Sequence, residues 1–542
     1  MPPFSSSPAW KALLAHRDAL AGRRISELWE DDPGRGPTLT MRCAGLAADF
    51  SKQRITAETL ALLVALARER GVPASIERLF AGERVNVTED RPALHMALRG
   101  DEHVMVDGHD IYPDIQSNRE RMRVFSQAVR EGQWKGHTGE RVRHVLALGI
   151  GGSALGPRLA LEALRGEADV SPGSGTWDVS PGSGTWGGPQ VRFLTNIDAA
   201  EFDDAIRGLD PASTLVIVAS KTFTTQETMV NALAAREWVA RSLGEEAIAK
   251  HVIAATANNA EAAVFGLPEC NIFPFADWVG GRFSLWSSVG LPVAIAVGMP
   301  RFEQLLAGAH AADLAFRSTP LEQNVPALLA LVGIWNRNAF GVPTHAVLSY
   351  ASRLECLPAY LQQLEMESNG KRVDLEGNPV DFATCPVVWG GTETPGQHAF
   401  HQWLHQGTDP VSCDFIVVAR AMGAHAAHHE ILLAHACAQS EALMEGLATP
   451  RTEKACPGDR VSTTLVLPAL DAFHLGALLA IYEHKVFVQG VVWGITSFDQ
   501  FGVELGKTIA GQILPAVRGT AASLHPATHH LLGVIQKLSR AP

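Results

Sequence analysis

The sequence predicts an α/β protein built from two doubly wound parallel sheets, with helical segments at both ends of the chain. Short apolar runs alternate with amphipathic stretches between residues 143 and 255, and the same alternation returns between residues 345 and 485. Apolar strands that alternate with helices form parallel sheets covered by helices on both faces. The length of 542 residues is also too great for one compact core. We therefore expect two α/β domains.

The expected elements follow from the hydrophobic pattern. Residues 9–70 are predicted to be helical, because apolar positions recur every three or four residues, as at Leu60, Leu63 and Val64. The first domain has predicted strands at 144–148, 191–194, 214–219 and 251–255, with helices at 157–165 and 225–241. A mostly helical connection covers 285–340. The second domain has predicted strands at 345–349, 387–389, 414–418 and 463–467, with helices near 352–366, 396–406, 425–445 and 471–485.

These elements divide the chain into four regions. We expect a helical N-terminal region over 1–115, a first domain over 116–290, a second domain over 291–500 and a C-terminal helical segment over 501–542. Within the first domain, the segment DVSPGSGTW occurs at 169–177 and again at 178–186. Its Asp, Ser, Pro and Gly residues are typical of turns, so we interpret the repeat as a duplicated surface loop.

The composition indicates a soluble cytoplasmic protein. The net charge of −12 disfavours nucleic acid or an anionic membrane as the main partner. The seven cysteines are scattered, without a CxxC pair, which favours free thiols in a reducing compartment. The beginning MPPFSSSPAW shows no secretion signal, and the apolar stretches at 289–298 and 325–335 are too short or too interrupted by proline to span a bilayer.

A glycine-rich turn is the first candidate for a phosphate site. The run GIGGS, from Gly149 to Ser153, follows an apolar strand and precedes a helix, where backbone N–H groups can receive an anion. The glycine spacing also fits the loose dinucleotide fingerprint, whose expected acid would be Asp169, inside the duplicated loop. A tight turn without a ligand is the structural alternative.

A hydroxyl-rich turn is the second candidate. The run SKTFTT, from Ser220 to Thr225, follows the apolar strand at the edge where open α/β sheets bind ligands. Several hydroxyls before a helix make a neutral cage for a phosphate dianion. Capping of the next helix explains one hydroxyl better than four. No GxxxxGK[ST] motif occurs, so a nucleoside triphosphate is not indicated.

Three separate motifs contribute candidate acid–base groups: Glu367 in EMESNGK, His398 in GQHAF and Lys507 in GVELGK. A carboxylate, an imidazole and an ammonium suffice to move protons between carbon and oxygen. Glu367 is expected at a helix exit that ends at a left-handed Gly370. His398 is expected to open a helix, and Lys507 to lie at a helix start, where a cation opposes the dipole and so indicates an anionic ligand. Ordinary solvated side chains are the alternative for Glu367 and Lys507.

Arg282 is a candidate for stabilising an oxyanion, because VGGRFS places its guanidinium between glycines and an aromatic ring. A surface ion pair is the alternative. His401 and His405 have a spacing found in metal sites, but HExxH is absent and no other residue nearby has ligand spacing, so we expect no metal. Four further histidines on one predicted helix are interpreted as packing and surface residues: His425, His428, His429 and His435.

Taken together, the motifs resemble those of the glucose-6-phosphate isomerase family. The chain contains, in family order, ERVNVTEDRPALH at 83–95, GIGGS, SKTFTTQET, VGGRFS, MESNGK, GQHAF, and YEHKVFVQG followed by SFDQFGVELGK. The resemblance runs nearly from end to end, and so many motifs in one order make coincidence implausible. The two sugar-isomerase (SIS) domains of that family agree with the two α/β domains predicted above.

The resemblance implies a role for each candidate. Glu367 resembles the base that moves a proton between C2 and C1, Arg282 the group that stabilises the cis-enediolate, and His398 with Lys507 the pair that assists ring opening. Eight further residues resemble sugar and phosphate contacts: Gly152, Ser153, Ser220, Lys221, Thr222, Thr225, Gln363 and Gln500. It also implies reversible interconversion of glucose 6-phosphate and fructose 6-phosphate, without metal or nucleotide, in a homodimer whose sites are shared between subunits.

The chain departs from the family pattern beside the site. Thr394-Pro395 stands where Thr-Asn is usual, Phe501 replaces a Trp, and Thr496 replaces an Asn. These changes concern substrate selectivity rather than the reaction. Three alternatives stay open: an isomerase that also accepts mannose 6-phosphate, a catalytically silent phosphosugar sensor, and a dinucleotide-dependent oxidoreductase suggested by the glycine-rich turn. The intact acid–base groups argue against the sensor.

Overall fold

The computed structural model describes residues 3–164, 187–520 and 523–539, and the duplicated segment at 169–186 lies outside them. The chain forms two compact units, residues 1–497 and residues 498–542, each of which is described by itself. The expected α/β class is confirmed, because both main sheets are built around parallel strands with helices between them.

The helices of the first unit are α1 (Pro8–Leu20), α2 (Ile25–Asp31), α3 (Arg35–Thr38), α4 (Ala57–Glu69), α5 (Val72–Phe80), α6 (Tyr112–Glu131), α7 (Gly152–Leu164), α8 (Ala199–Ile206), α9 (Gln226–Leu243), α10 (Ile248–His251), α11 (Asn259–Val264), α12 (Leu291–Val297), α13 (Met299–Ser318), α14 (Val325–Ile334), α15 (Leu357–Leu361), α16 (His401–Gln406), α17 (Ala426–Glu445) and α18 (Ala472–Trp493). The second unit contains α19 (Phe501–Val517) and α20 (Pro526–Ser539).

The strands are β1 (Thr40–Cys43), β2 (Leu46–Asp49), β3 (Met105–Val106), β4 (His109–Asp110), β5 (His144–Leu148), β6 (Gln190–Leu194), β7 (Thr214–Ala219), β8 (Val252–Thr256), β9 (Ile272–Pro274), β10 (Thr344–Tyr350), β11 (Val387–Thr392), β12 (Val411–Val418) and β13 (Ser462–Leu467). Strands β3 and β4 form a small hairpin of their own.

The first sheet has the order β6-β5-β7-β8-β9, and its neighbouring strands are all parallel. Its central strand β7 is buried along its whole length, which explains why six consecutive residues, TLVIVA, are apolar or β-branched. The four strands predicted for this domain are confirmed within one or two residues. Strand β9 has three residues and was too short to stand out in the sequence pattern.

The second sheet repeats this order. Its parallel part runs β11-β10-β12-β13, so the first, second, third and fourth strands along the chain occupy the same relative places as β5, β6, β7 and β8. The four strands predicted for this domain are confirmed. Because the topology is shared, each sheet reverses its winding direction between its first and third strands.

A hairpin near the N-terminus corrects the expectation that residues 9–70 are all helical. Strands β1 and β2 pair antiparallel, and β2 adds to the free edge of β13, with Ala48 opposite Leu465. Ala44 and Gly45 have φ values of +47° and +86°, so a tight two-residue turn connects the strands. The edge of the second sheet is thus covered by a segment more than 400 residues away, a partner that local periodicity cannot reveal.

Helix α18 forms the centre of the first unit. Among the described residues, α18 is the only helix that is long and apolar enough to cross a membrane. However, 94% of its apolar window is buried inside the protein. It packs along α13. The charged side chains of Glu483 and Lys485 are buried with it and are paired with other buried groups.

Candidate active site

Both candidate phosphate loops lie at the ligand-binding edge of the first sheet. Open sheets of this kind bind ligands outside the carboxyl ends of the strands where the winding reverses, which here are β5 and β7. The GIGGS turn follows β5, and the SKTFTT turn follows β7. Gly151 has a φ of +57°, a backbone conformation that glycine adopts without a steric penalty. The topology therefore brings together two loops that are about seventy residues apart in sequence.

The hydroxyl-rich turn is ordered by its own side chains. The Ser220 hydroxyl accepts a hydrogen bond from the Phe223 N–H at 3.1 Å, and Phe223 is buried with a φ of +55°. Thr222 Oγ1 accepts a bond from the Thr224 hydroxyl at 2.8 Å. Thr225 directly precedes α9, but within the described residues its side chain makes no capping hydrogen bond to that helix. Helix capping therefore does not explain the hydroxyls of this turn.

Lys221 lies between this turn and the segment that follows β9. Its ammonium donates a hydrogen bond to the Asp277 carbonyl oxygen at 2.5 Å, and Arg91 Nη1 donates to the same oxygen at 3.3 Å. Burial lowers the pKa of Lys221 to about 8, and the nearby Arg91 guanidinium acts in the same direction. An ammonium with this pKa keeps most of its positive charge near neutrality and loses it in mildly alkaline solution.

Glu367 and Arg282 face each other where helix α15 ends. The helix continues as a wider π turn over Gln362–Glu367, a feature often found at functional sites. Arg282 Nη1 lies 3.9 Å from Glu367 Oε1, with the Arg282 side chain 2% exposed and that of Glu367 19% exposed. A buried guanidinium beside a partly exposed carboxylate can stabilise negative charge while the carboxylate exchanges protons.

Two glycines connect this pair with the first phosphate loop. A Cβ placed on Gly152 would lie 2.0 Å from the carbonyl oxygen of Gly281, directly before Arg282. A Cβ on Gly151 would lie 2.8 Å from Nε2 of Gln363. The GIGGS turn therefore touches both the Arg282 segment and the π turn that carries Gln363 and Glu367. Ser153, in the first turn of α7, lies on the same loop.

The guanidinium of Arg282 is held by residues that sequence reasoning did not single out. Its Nε donates to the Ser368 hydroxyl at 2.7 Å, and Nη2 donates to the Ser497 carbonyl oxygen at 2.6 Å. Ser368 and the buried Asn369 belong to the MESNGK motif, and Ser497 begins SFDQFG. Both motifs therefore include a residue that holds Arg282. Which of their side chains point inward could not be read from the letters alone.

A second glutamate of the same turn has a different environment. Glu365 is buried, and its carboxylate accepts hydrogen bonds from Lys485 Nζ at 2.8 Å and Gln489 Nε2 at 2.9 Å. Burial by itself raises the pKa of Glu365, but the nearby charges of Lys485 and His345 and the hydrogen bonds from Lys485 and Gln489 together outweigh it and hold the pKa below its ordinary value. Glu365 thus anchors the turn, and Glu367 faces the site.

The end of this turn corrects one expectation. Gly370 was expected to stop the helix in a left-handed conformation, but it is not among the residues with positive φ. A Cβ at this position would lie 2.4 Å from the carbonyl oxygen of Met366. The same oxygen accepts a hydrogen bond from the Gly370 N–H at 2.9 Å. A glycine therefore fits because of close approach rather than handedness.

His398 is exposed and does not open a helix as expected. It ends a short 3₁₀ turn over Pro395–His398, after β11 of the second sheet, and α16 begins only at His401. Proline at position 395 fixes φ at the first position of that turn, where its missing N–H costs no helical hydrogen bond. The neighbouring Gln397 donates to the Tyr350 hydroxyl at 3.4 Å.

Lys507 and Gln500 belong to the second unit. Gln500 immediately precedes α19, which begins at Phe501, so Lys507 lies in the second turn rather than at the helix start. The helix dipole therefore gives no indication of an anionic ligand at Lys507, because its effect is confined to the first turn. The Lys507 side chain is half exposed, with Nζ 3.7 Å from Glu504 Oε1.

The histidines considered as metal ligands have protein partners. His401 is buried between Glu393 and Gln439, at 3.1 Å from each, and His405 Nε2 lies 3.0 Å from the same Gln439 oxygen. Burial lowers the pKa of His405. In the part of the chain that is described, no group of three or more His, Cys, Asp or Glu side chains is arranged to hold a metal ion.

Comparison with known proteins shows which proteins this chain resembles. The family model described as phosphoglucose isomerase matches residues 49–532, a range that contains every candidate site residue. The chain is 45% identical to the glucose-6-phosphate isomerase of Methylococcus capsulatus, over 99% of this chain and 100% of the relative. It is 47% identical to that of Anaeromyxobacter sp. (strain K), over 97% and 96%. The solved glucose-6-phosphate isomerase of Chlamydia trachomatis aligns with a TM-score of 0.86 and 30% identity, over 99% of this chain and 100% of that chain.

Proposed function

Because the chain belongs to the phosphoglucose isomerase family, we propose that it interconverts glucose 6-phosphate and fructose 6-phosphate through a cis-enediolate. The observation that carries this proposal is the placement of the Glu367 carboxylate 3.9 Å from the buried Arg282 guanidinium, beside the GIGGS turn. The reaction needs one base that can reach two adjacent carbons and one fixed cation at their oxygens.

Binding of the phosphate is assigned to the edge of the first sheet. Ser220, Thr222 and Thr225 provide hydroxyl donors, and Lys221 provides a positive charge, while Ser153 lies on the neighbouring loop. Gly152 and Gln363 lie where the GIGGS turn contacts the segments that carry Arg282 and Glu367. Contacts to the nonreacting end of a substrate hold the reacting carbons in place, so binding energy at the phosphate lowers the barrier at C1 and C2.

The proton transfer starts from the open-chain aldose. The Glu367 carboxylate takes the proton from C2, the C–H electron pair forms the C1–C2 double bond, and O1 receives the carbonyl electrons as negative charge. Arg282 stabilises this enediolate. The O2 proton moves to O1, the electron pair left on O2 forms the C2 carbonyl, and the electrons of the C1–C2 double bond take the proton back from Glu367 at C1. His398 and Lys507 are assigned to opening the sugar ring before these steps, and Gln500 to a sugar contact.

The assembly and location are part of the same proposal. We assign a cytoplasmic homodimer in which His398 of one subunit completes the site of its partner, as the family resemblance implies. The exposure of His398 supports this assignment. The proposed regions are 1–115, 116–290, 291–500 and 501–542, with the β1–β2 hairpin of the first region paired to the second sheet.

The test is turnover of purified protein with glucose 6-phosphate beside mannose 6-phosphate. Formation of fructose 6-phosphate from glucose 6-phosphate, lost in Glu367→Gln, supports the proposal. Comparable rates from both sugars would favour a broader isomerase. Binding of sugar phosphate without turnover would favour a phosphosugar sensor, and titration with a nicotinamide dinucleotide would reveal an oxidoreductase.

A further inference from the structure

A chain of buried hydrogen bonds lies behind the Glu367 turn, outside the groups that contact substrate in the proposed function. It begins at the Lys485–Glu365 ion pair between α18 and the π turn. Gln489, one turn further along α18, donates to Glu365 at 2.9 Å and accepts from Asn369 at 3.1 Å. Each of these side chains is at most 3% exposed.

Asn369 is the central member of this chain. Its amide nitrogen donates to the Val486 carbonyl oxygen at 2.9 Å and to Gln489 Oε1 at 3.1 Å. Its amide oxygen accepts from the Ser497 hydroxyl at 2.7 Å. Both donor hydrogens and the acceptor are therefore used, and the residue is fully buried, so the side chain has one orientation that satisfies every group.

Ser497 connects Asn369 with Arg282 through two hydrogen bonds. The Ser497 hydroxyl donates to Asn369, and its carbonyl oxygen receives Arg282 Nη2 at 2.6 Å. Space behind Ser497 is also restricted, because a Cβ on Gly490 would lie 1.9 Å from the Ser497 hydroxyl. The carbonyl that orients the guanidinium is thus held by one side-chain bond and by a glycine of α18.

We propose that Asn369 is a positioning residue that fixes Arg282 in the orientation needed to stabilise the enediolate. The proposal rests on the proposed isomerase function. Without the Asn369 amide, the Ser497 hydroxyl loses its acceptor and the carbonyl beside it gains freedom. The guanidinium then rotates away from the developing oxyanion while the phosphate loops, on the first sheet, keep their geometry. A purely structural role would instead lower stability without changing which ligand is recognised.

The experiment compares two ligands in Asn369→Ala. One is a five-carbon aldonohydroxamate 5-phosphate, whose planar anionic head mimics the enediolate. The other is sorbitol 6-phosphate, which carries the phosphate and hydroxyls but no planar anion. We expect the Kd of the hydroxamate to rise about tenfold, the effect of losing one hydrogen bond to a charged group. The Kd of sorbitol 6-phosphate should stay within about twofold, and kcat should fall more than KM rises.

Asn271→Ala is the matched control. Asn271 is also buried, and its amide donates to the carbonyl oxygens of Ala249 and Val252 at 2.9 and 2.8 Å, beside β8; neither acceptor is one of the residues, Ser368 and Ser497, that hold Arg282. It should lose stability without a change in the ratio of the two dissociation constants. Ser497→Ala removes only the hydroxyl that donates to Asn369, and it carries the test if Asn369→Ala does not fold.

The outcomes separate this inference from the proposed function. A wild-type protein without turnover of glucose 6-phosphate overturns the function. Active wild-type protein, with both Asn369→Ala and Ser497→Ala binding the two ligands in the wild-type ratio, overturns the positioning role alone. A selective loss of hydroxamate affinity in either variant, absent in Asn271→Ala, supports it.

Discussion

Replacing Arg282 by lysine separates the charge of this residue from the geometry of its guanidinium. The guanidinium spans two acceptors, with Nε 2.7 Å from the Ser368 hydroxyl and Nη2 2.6 Å from the Ser497 carbonyl oxygen. Its third nitrogen, Nη1, is the one nearest Glu367. A lysine ammonium is a single compact centre, so it cannot hold both acceptors and also reach the position of Nη1.

The expected magnitude follows from these contacts. Loss of one preorganised oxyanion donor typically lowers kcat by about 10²–10³, which corresponds to about 2.7–4 kcal/mol. We expect Arg282→Lys to fall in this range. Loss of at least one buried hydrogen bond to the charged group should also lower the free energy of unfolding by about 1.5–3 kcal/mol.

Arg35→Lys is the matched control. Arg35 is likewise buried, and its guanidinium donates to the carbonyl oxygens of Ser51, Ile55 and Gln53 at 2.7–2.8 Å, near the β1–β2 hairpin. This variant should lose comparable stability and keep its turnover. Initial rates from a coupled assay for fructose 6-phosphate, together with urea unfolding, measure both effects. Turnover of Arg282→Lys within tenfold of wild type, or equal losses of turnover in both variants, would refute the reasoning.

Four further predictions concern the base, the phosphate loop, the subunits and metal. Glu367→Gln should lower turnover by at least ~10², because it removes the proton acceptor but keeps the shape; more than about a tenth of wild-type turnover would contradict its role as base. The KM for sugar phosphate should rise as the pH passes about 8, since Lys221 becomes neutral above its pKa, and this rise should be absent in Lys221→Arg. Refolding Glu367→Gln together with His398→Ala should restore about a quarter of the sites if the two residues act across a two-fold interface; verified mixed dimers without activity would rule out the shared site. Dialysis against a strong chelator should leave turnover unchanged, whereas loss with recovery on adding a divalent ion would make His401 and His405 candidate ligands again.

The strands of both sheets were predictable because their burial is continuous. Residues 214–219 and 411–418 are buried at every position. The side chains of such strands must be apolar, or must have a hydrogen-bonding partner if they are polar. The positions of the two candidate phosphate loops were predictable for the same reason, since both come directly after buried parallel strands. The β1–β2 hairpin was not predictable in this way, because its stability depends on pairing with β13 at the other end of the fold.

Local arguments about helix ends were less successful. Lys507 was placed at a helix start, but α19 begins six residues earlier at Phe501, and Gly370 was expected to be left-handed but is not. Both errors assumed that a motif boundary coincides with an element boundary. His398 shows the same error, because Pro395 belongs to a separate short turn that ends before α16. Lys507 thereby loses the support of the helix dipole, and the roles of His398 and Lys507 in ring opening rest on the family resemblance and stay predictions.

The two glutamates of the π turn differ in how firmly their carboxylates are held. Glu365 accepts two hydrogen bonds, from Lys485 and Gln489, and is buried, so protonating it would break a buried ion pair. The carboxylate of Glu367, two residues later, lies 3.9 Å from the Arg282 guanidinium, beyond hydrogen-bond distance, and is partly exposed. A base that takes a proton from one carbon and returns it to the next must change its charge and its direction during the reaction. The turn therefore combines a fixed glutamate that defines the backbone position with a more loosely held one, which is the combination that the base proposed at position 367 requires.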